Sequence, residues 1–373
     1  MNGVIILDKP AGFTSHDVVN RMRRILSQRS IGHMGTLDPL ATGVLPLVTG
    51  SLTRLAQFYI ASEKTYEGVI RFGFATNTYD SDGDPIEPHL GTAAPGYPAP
   101  STDLNLDQLQ NLAAQFLGHI AQIPPPFSAK KIHGVPAYKL ARKQQEVILK
   151  PVQVEIKEFS ILSLDADRAH FRARVSSGTY MRSIAHEMGQ RLGCGAHLES
   201  LRRTAVAEFD ISQAHTLEEI ETLKFNRKPA DSETGTFQSH ENAEAQTNLS
   251  HSDRSFAFPK EKGSAVESLP RASEARRGEP AVLDLRSPLS PESRLSPGIE
   301  SLFLHPRQLL PNLPSVTADD LTAARIRSGR PINLPDHSRS PQVKVFQGQR
   351  DLIAIATRVA GTLFHPKIVF PPS

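Results

Sequence analysis

The chain has 373 residues, room for about two domains of ordinary size. Its single cysteine excludes a disulfide framework and a cysteine-rich zinc site, and no apolar run approaches the ~18 residues of a membrane span. Hydrophobic residues make up 39%, mean hydropathy is −0.30, and there are 29 Pro and no Trp, a core diluted by something unable to fold alone. MNGVIILDKPAG has neither the basic start nor the long apolar stretch of a signal peptide, so the expectation is a cytoplasmic protein in a reducing compartment.

The elements alternate along the chain. VIILDK reads as a strand, followed by a helix over HDVVNRMRRILSQ with Ser15 as N-cap and Val18, Val19, Met22 and Ile25 on one face. TYEGVIRFGF alternates as a strand does, and residues 104–117 make an amphipathic helix. VQVEIKEFSILSLD and HFRARVSSGT are strands of period two, and RSIAHEMGQRLG is a helix ending at Gly193. Strands and helices mix without a regular βαβ repeat, which predicts an α+β domain over residues 1–228.

Residues 229–300 differ in composition. They hold 12 Ser and 7 Pro, and no apolar periodicity persists beyond a turn, so a disordered insertion or linker is expected. Residues 301–373 follow, with a short helix at TADDLTAARIRSG capped by Thr317. Strands at VKVFQGQRDLIAIATRV and TLFHPKIVF then suggest a small β-barrel. The net charge of +3 resides here. Residues 1–220 carry 22 basic and 22 acidic side chains, residues 221–300 carry 11 and 13, and residues 301–373 carry 9 and 4. A basic terminal module suits a polyanionic partner, although charge alone does not separate this from chance.

The densest motif is GHMGTLDPLATGVLPL at 32–47. Gly32, Gly35 and Gly43 bracket a loop, and Pro39 restricts Asp38 to extended backbone. A carboxylate held in such a loop can face a ligand, but a lone Asp-Pro more often caps a turn. Tyr66 and Tyr180 by themselves read as half-buried strand residues, and Arg182 as a phosphate contact or surface arginine. Asp80, Asp82 and Asp84 mimic an EF-hand start, but Pro85 stands where glycine is required and Gly91 where glutamate is, so no calcium or other metal site is expected. Cys194 reads as a small packed residue.

Taken together, the blocks are specific. GHMGTLDPLATGVL resembles the catalytic loop of the TruB family of tRNA pseudouridine synthases. The resemblance continues in order through LDKPAGFTSHDVV, KTYEG, TNTYDSDGD, QIPPPFSAKKIHGVPAYKLAR, SSGTYMRSIAHEMGQRLGCGAHLESLRRTAV and FHPKIVF. It covers nearly the whole chain except 229–300. It implies a pseudouridine synthase domain on a mixed, mainly antiparallel sheet, followed by a PUA-like barrel. The implied reaction is isomerisation of uridine 55 in the TΨC loop. By the same resemblance Asp38 matches the catalytic aspartate, Tyr66 the tyrosine that stacks on the target base and assists proton removal, and Arg182 the arginine pairing with the aspartate. Tyr180 and Leu201 match residues bordering the uracil, His33 the histidine supporting the refolded loop, and Lys9 the N-terminal Lys-Pro. Met34 occupies a spot often taken by a smaller residue. Asp80 is expected to brace the site. Lys130, with Lys131, Arg142, Lys143, Arg202 and Arg203, is a candidate for phosphate contact.

The chemistry is consistent with this. Converting uridine to pseudouridine breaks the N1–C1′ bond, rotates the uracil and joins C5 to C1′ with no net redox change, so no cofactor is expected. A carboxylate can attack C1′, stabilise positive charge there or take a 2′ proton, and the sequence leaves all three open. Glycosidases need a second carboxyl as acid, whereas uracil leaves as a delocalised anion and one aspartate suffices. The partner expected is the tRNA T-arm, bound by a monomer with no obligatory protein partner and no membrane. The competing readings are a guide-RNA-dependent synthase, a non-catalytic tRNA-folding factor and a hydrolase using Asp38 as nucleophile. The first lacks its long Lys-rich tail here, and the second does not need Asp38, Tyr66 and Arg182 together. Release of free uracil would mark the third.

Overall fold

Strands β1 (Gly3–Lys9), β2 (Ile31–His33), β3 (Thr42–Thr49), β4 (Lys64–Phe72), β5 (Gly118–Gln122), β6 (Val152–Asp165), β7 (Arg168–Val175), β8 (Ala196–Val206) and β9 (Phe209–Asp210) form one nine-stranded sheet. The order is β1-β3-β8-β4-β7-β6-β5, with β2 beside β3 and β9 beside β8. Only β3 and β8 run parallel, so the sheet is mixed and mainly antiparallel, as expected. The computed structural model describes residues 2–86, 104–128, 130–132, 134–141, 143, 149–225 and 297–371. The insertion read from the sequence lies outside these up to residue 296. Residues Pro297–Glu300 are a short helix with Ile299 fully buried, four residues before the boundary at 301 read from the sequence.

β1 and β3 are apolar almost without alternation because both faces are covered. Ile5, Leu7, Leu45 and Leu47 point to a core shared with helices α1 (Ser15–Ile25), α2 (Leu106–Ala114), α3 (Met181–Leu192) and α4 (Leu217–Phe225). Val4, Ile6, Val44 and Val48 point the other way, into a second core containing Leu309, Phe346, Leu352, Ile355, Ile368 and Phe370 of the C-terminal region. The two ends of the sequence therefore share a core, and Met1–Arg227 with Arg294–Ser373 form one compact unit. In the C-terminal region β10 (Ser315–Ala318), helix α5 (Asp320–Arg327), β11 (Ile332–Asn333), β12 (Gln342–Gln347), β13 (Asp351–Ala360) and β14 (Leu363–Val369) build a second sheet ordered β10-β12-β13-β14-β11. This β-rich region fits the implied PUA-like module. Among the described residues no helix is long and apolar enough to cross a membrane.

Two helix caps differ from the sequence reading. Thr14, not Ser15, caps α1 through a reciprocal pair with Asp17. Ser15 turns inward, where its hydroxyl accepts from Leu37 N at 2.8 Å and donates to Leu37 O at 3.1 Å. Asp319, not Thr317, caps α5, because Thr317 belongs to β10 and pairs with Phe346 in β12. Gly193 does end α3, with φ of +72°.

Candidate active site

The loop between β2 and β3 carries Asp38. Its backbone makes the turn that a lone Asp-Pro suggests, with Ala41 N donating to Asp38 O. Its side chain, 40% exposed, meets Arg182 at 2.8 Å. Arg182 sits in the first turn of α3 and is 5% exposed. One guanidinium nitrogen reaches Asp38 Oδ2, the other reaches Asp80 Oδ2 at 3.2 Å, and the same two donate to the carbonyls of Phe127 and Thr78. The arginine thus joins two carboxylates, one at the mouth and one buried, rather than gripping Asp38 bidentately. Burial pushes the Asp80 carboxyl up, against the Thr78 hydroxyl, Arg182 and the Asp82 N–H, which favour its charge. Asp80 thus meets Arg182 from the buried side of the network.

A cleft of about 540 Å³ opens over this network. Its walls include His33, Asp38, Tyr66, Tyr180, Arg182 and Leu201, six of the residues that the sequence singles out. Tyr66 projects from β4, whose neighbours at that register are Ala173 of β7 and Arg203 of β8. Tyr180 caps α3 and is held by Gln122, whose side chain accepts from Tyr180 N at 2.8 Å and donates to Tyr180 O at 3.1 Å. Burial raises the Tyr180 phenol, and burial followed by the Arg203 charge lowers the His33 imidazole, so His33 is neutral near pH 7. A volume of this size with apolar and aromatic walls and a charged floor suits a nucleoside-sized ligand.

Two cationic residues, Lys9 and Arg203, lie elsewhere than expected. Lys9 is fully buried and donates to the carbonyls of Pro10, Phe13 and Pro39 at 2.8, 2.7 and 3.2 Å, so it braces the Asp38 loop from behind and does not line the cleft. Lys130 is exposed and also outside the cleft lining. Arg202 pairs with Asp8 at 2.6 Å, and Arg203 is buried to 1% exposure, which removes it from phosphate contact. Met34 is fully buried in the second core, and Cys194 is a packed, buried residue. Sequence reasoning missed the roles of Ser15 and Gln122, since no periodicity distinguishes a side chain that bonds to a distant backbone.

Comparison with known proteins follows the same lines. Residues 23–181 match the family model described as TruB family pseudouridylate synthase (N terminal domain), and residues 182–239 that of tRNA pseudouridylate synthase B C-terminal domain. A tRNA pseudouridine synthase B of Solibacter usitatus is 39% identical over 99% of this chain and 100% of its own length. The chain belongs to the TruB family. The tRNA pseudouridine synthase B of Aquifex aeolicus is 42% identical over 59% of this chain and 74% of that protein. In three dimensions the chain resembles a crystallised Cbf5-Nop10-Gar1 complex with a TM-score of 0.59 and 20% identity, covering 99% of this chain and 85% of that one. At that identity the likeness concerns the fold. Membership of the family makes the chain a tRNA pseudouridine synthase, an isomerase.

Proposed function

We propose that this TruB-family chain isomerises uridine 55 in the TΨC loop of tRNA, in the cytoplasm and without a protein partner, with Asp38 as the catalytic carboxylate. The observation that carries this reading is the Asp38–Arg182–Asp80 network at the floor of a cleft walled by Tyr66, Tyr180 and Leu201. The target base must leave its stack to reach Asp38, at a cost of a few kcal/mol that aromatic stacking on Tyr66 offsets. Arg182 keeps the carboxylate ionised and aimed at C1′ by a charge-assisted bond. Once N1–C1′ breaks, uracil is an anion, and the Arg182 charge at the cleft floor stabilises it while it rotates to present C5. Apolar walls exclude water, which would otherwise intercept C1′ and release free uracil. The basic C-terminal module then grips the tRNA backbone away from the target loop, adding affinity without chemistry.

Asp38→Asn keeps the shape and removes the charge, so pseudouridine formation on an unmodified tRNA transcript is expected to vanish while tRNA binding persists. Retention of a tenth of the wild-type single-turnover rate would remove Asp38 from the chemistry.

A further inference from the structure

Arg203 is the largest side chain among the fully buried residues, and it bears a charge that the TruB reaction as described does not use. Its position in β8 sits between Gly43 of β3 and Tyr66 of β4. From there Nε donates to Val44 O at 2.8 Å, one terminal nitrogen to Thr36 O at 3.2 Å and the other to Gly35 O at 3.1 Å. Gly35 and Thr36 precede Asp38 and Val44 follows it, so one guanidinium fastens both limbs of the catalytic loop. Two N–H groups remain of its five, and Tyr66 of β4 is its register partner, its phenol acting electrostatically on the guanidinium.

A charge here is costly. Its electrostatic partner is the Tyr66 phenol and not a carboxylate, while Lys64, Lys9 and His33 all face it with positive or titratable groups. A buried cation without a carboxylate destabilises the fold relative to an apolar side chain of similar size. A loop could be closed more cheaply, but a planar fork fixes several acceptors in one geometry, which an apolar residue or a lysine cannot do.

We propose that Arg203 is a positioning residue of the pseudouridine synthase site: its fork sets the Asp38 loop and the Tyr66 hydroxyl in register with each other. The proposal rests on the reading of Asp38 and Tyr66 as reacting groups. Displacement of either group by about an ångström costs about 100-fold in rate.

The test uses the full chain with Arg203→Lys and Arg203→Gln, each alone and combined with Tyr66→Phe. Arg203→Lys should slow single-turnover pseudouridine formation by about 100-fold and leave tRNA affinity and melting temperature close to wild type. In the Tyr66→Phe background the loss should shrink, because one of the two groups held in register is already gone. Amide exchange should quicken at Leu37 and Ala41 while the β4–β8 ladder stays protected. That exchange measurement decides the positioning role even if wild-type protein proves inactive on tRNA, a result that would refute the proposed function and not this one. A rate within twofold of wild type overturns the proposal. So does a loss that simply adds to that of Tyr66→Phe alongside weaker tRNA binding, or failure of both variants to fold, which would make Arg203 a determinant of the fold and not of the loop.

Discussion

Two buried lysines, Lys9 behind the cleft and Lys64 in its wall, donate to backbone carbonyls. Lys9 reaches Pro10, Phe13 and Pro39, and Lys64 reaches Ile60 and Ser62. Burial lowers both from 10.5 to about 8, with the Asp38 charge opposing the shift at Lys9 and the Arg203 charge adding to it at Lys64. The sign follows from linkage. Between about pH 8 and 10.5 the unfolded chain still holds protons that the native state has released, so these two groups make stability rise with pH over that window. Their charge in the folded protein is lost over the same window, so tRNA binding should weaken as pH passes about 8. Urea midpoints and tRNA affinities measured across the window check both directions. Lys9→Met should flatten the stability gradient, and an unchanged gradient would show that Lys9 does not titrate there. The motif LDKP marks Lys9 by resemblance; that its ammonium faces carbonyls and not substrate depends on Phe13 and Pro39 folding over it.

At the scale of elements, hydrophobic period was a sound guide where one face is wet. The helix α1 and the strands β4, β6 and β7 lie close to where their patterns predict, and α3 stops at Gly193. It said nothing about β3 and β8, the parallel pair that joins the Asp38 loop to Leu201 and Arg203, because partners so far apart in sequence leave no local signal. That pairing depends on Gly43. Its φ is +97°, and a Cβ there would lie 2.2 Å from Arg203 O. Gly43→Ala should therefore push β8 away from β3 and destabilise the protein by about 3 kcal/mol, from left-handed strain and overpacking together. Denaturant titration would read this, and a change below about 1 kcal/mol would mean that the two strands separate without cost. Thr317 shows the same limit. Its helix-cap pattern is sound locally, but pairing with β12 takes it into a strand.

For the whole molecule, the shared second core changes how the C-terminal module must be tested. Removing residues 301–373 would uncover Val4 and Ile6 on β1 and Val44 and Val48 on β3, the strand that follows the Asp38 loop, so a truncation confounds stability with RNA binding. Surface charge isolates the question. Arg325 and Arg330 are exposed at the end of α5 and just beyond it. If both touch phosphate, Arg325→Ala with Arg330→Ala should reduce the slope of log Kd against log salt by about 2 and leave saturating single-turnover chemistry unchanged. An unaltered slope in the folded variant would place the tRNA contacts elsewhere.

Ordered blocks of sequence were enough to determine the family, the α+β class and most of the cleft, since His33, Asp38, Tyr66, Tyr180, Arg182 and Leu201 lie in motifs that the family resemblance marks. Charge counts located the basic end of the chain for the same reason, as composition is additive along a sequence. Tertiary structure alone decided which cations face substrate and which face the backbone. Lys9 and Arg203 are buried braces, Arg202 is paired with Asp8, and Arg182 is divided between two carboxylates. It also decided that the C-terminal module is continuous with the catalytic sheet through β1 and β3. The physical reason is common to all of these. Desolvation and hydrogen-bond geometry depend on which groups approach across the fold, and two residues separated by more than a hundred positions carry no mark of that meeting until the chain has closed on itself.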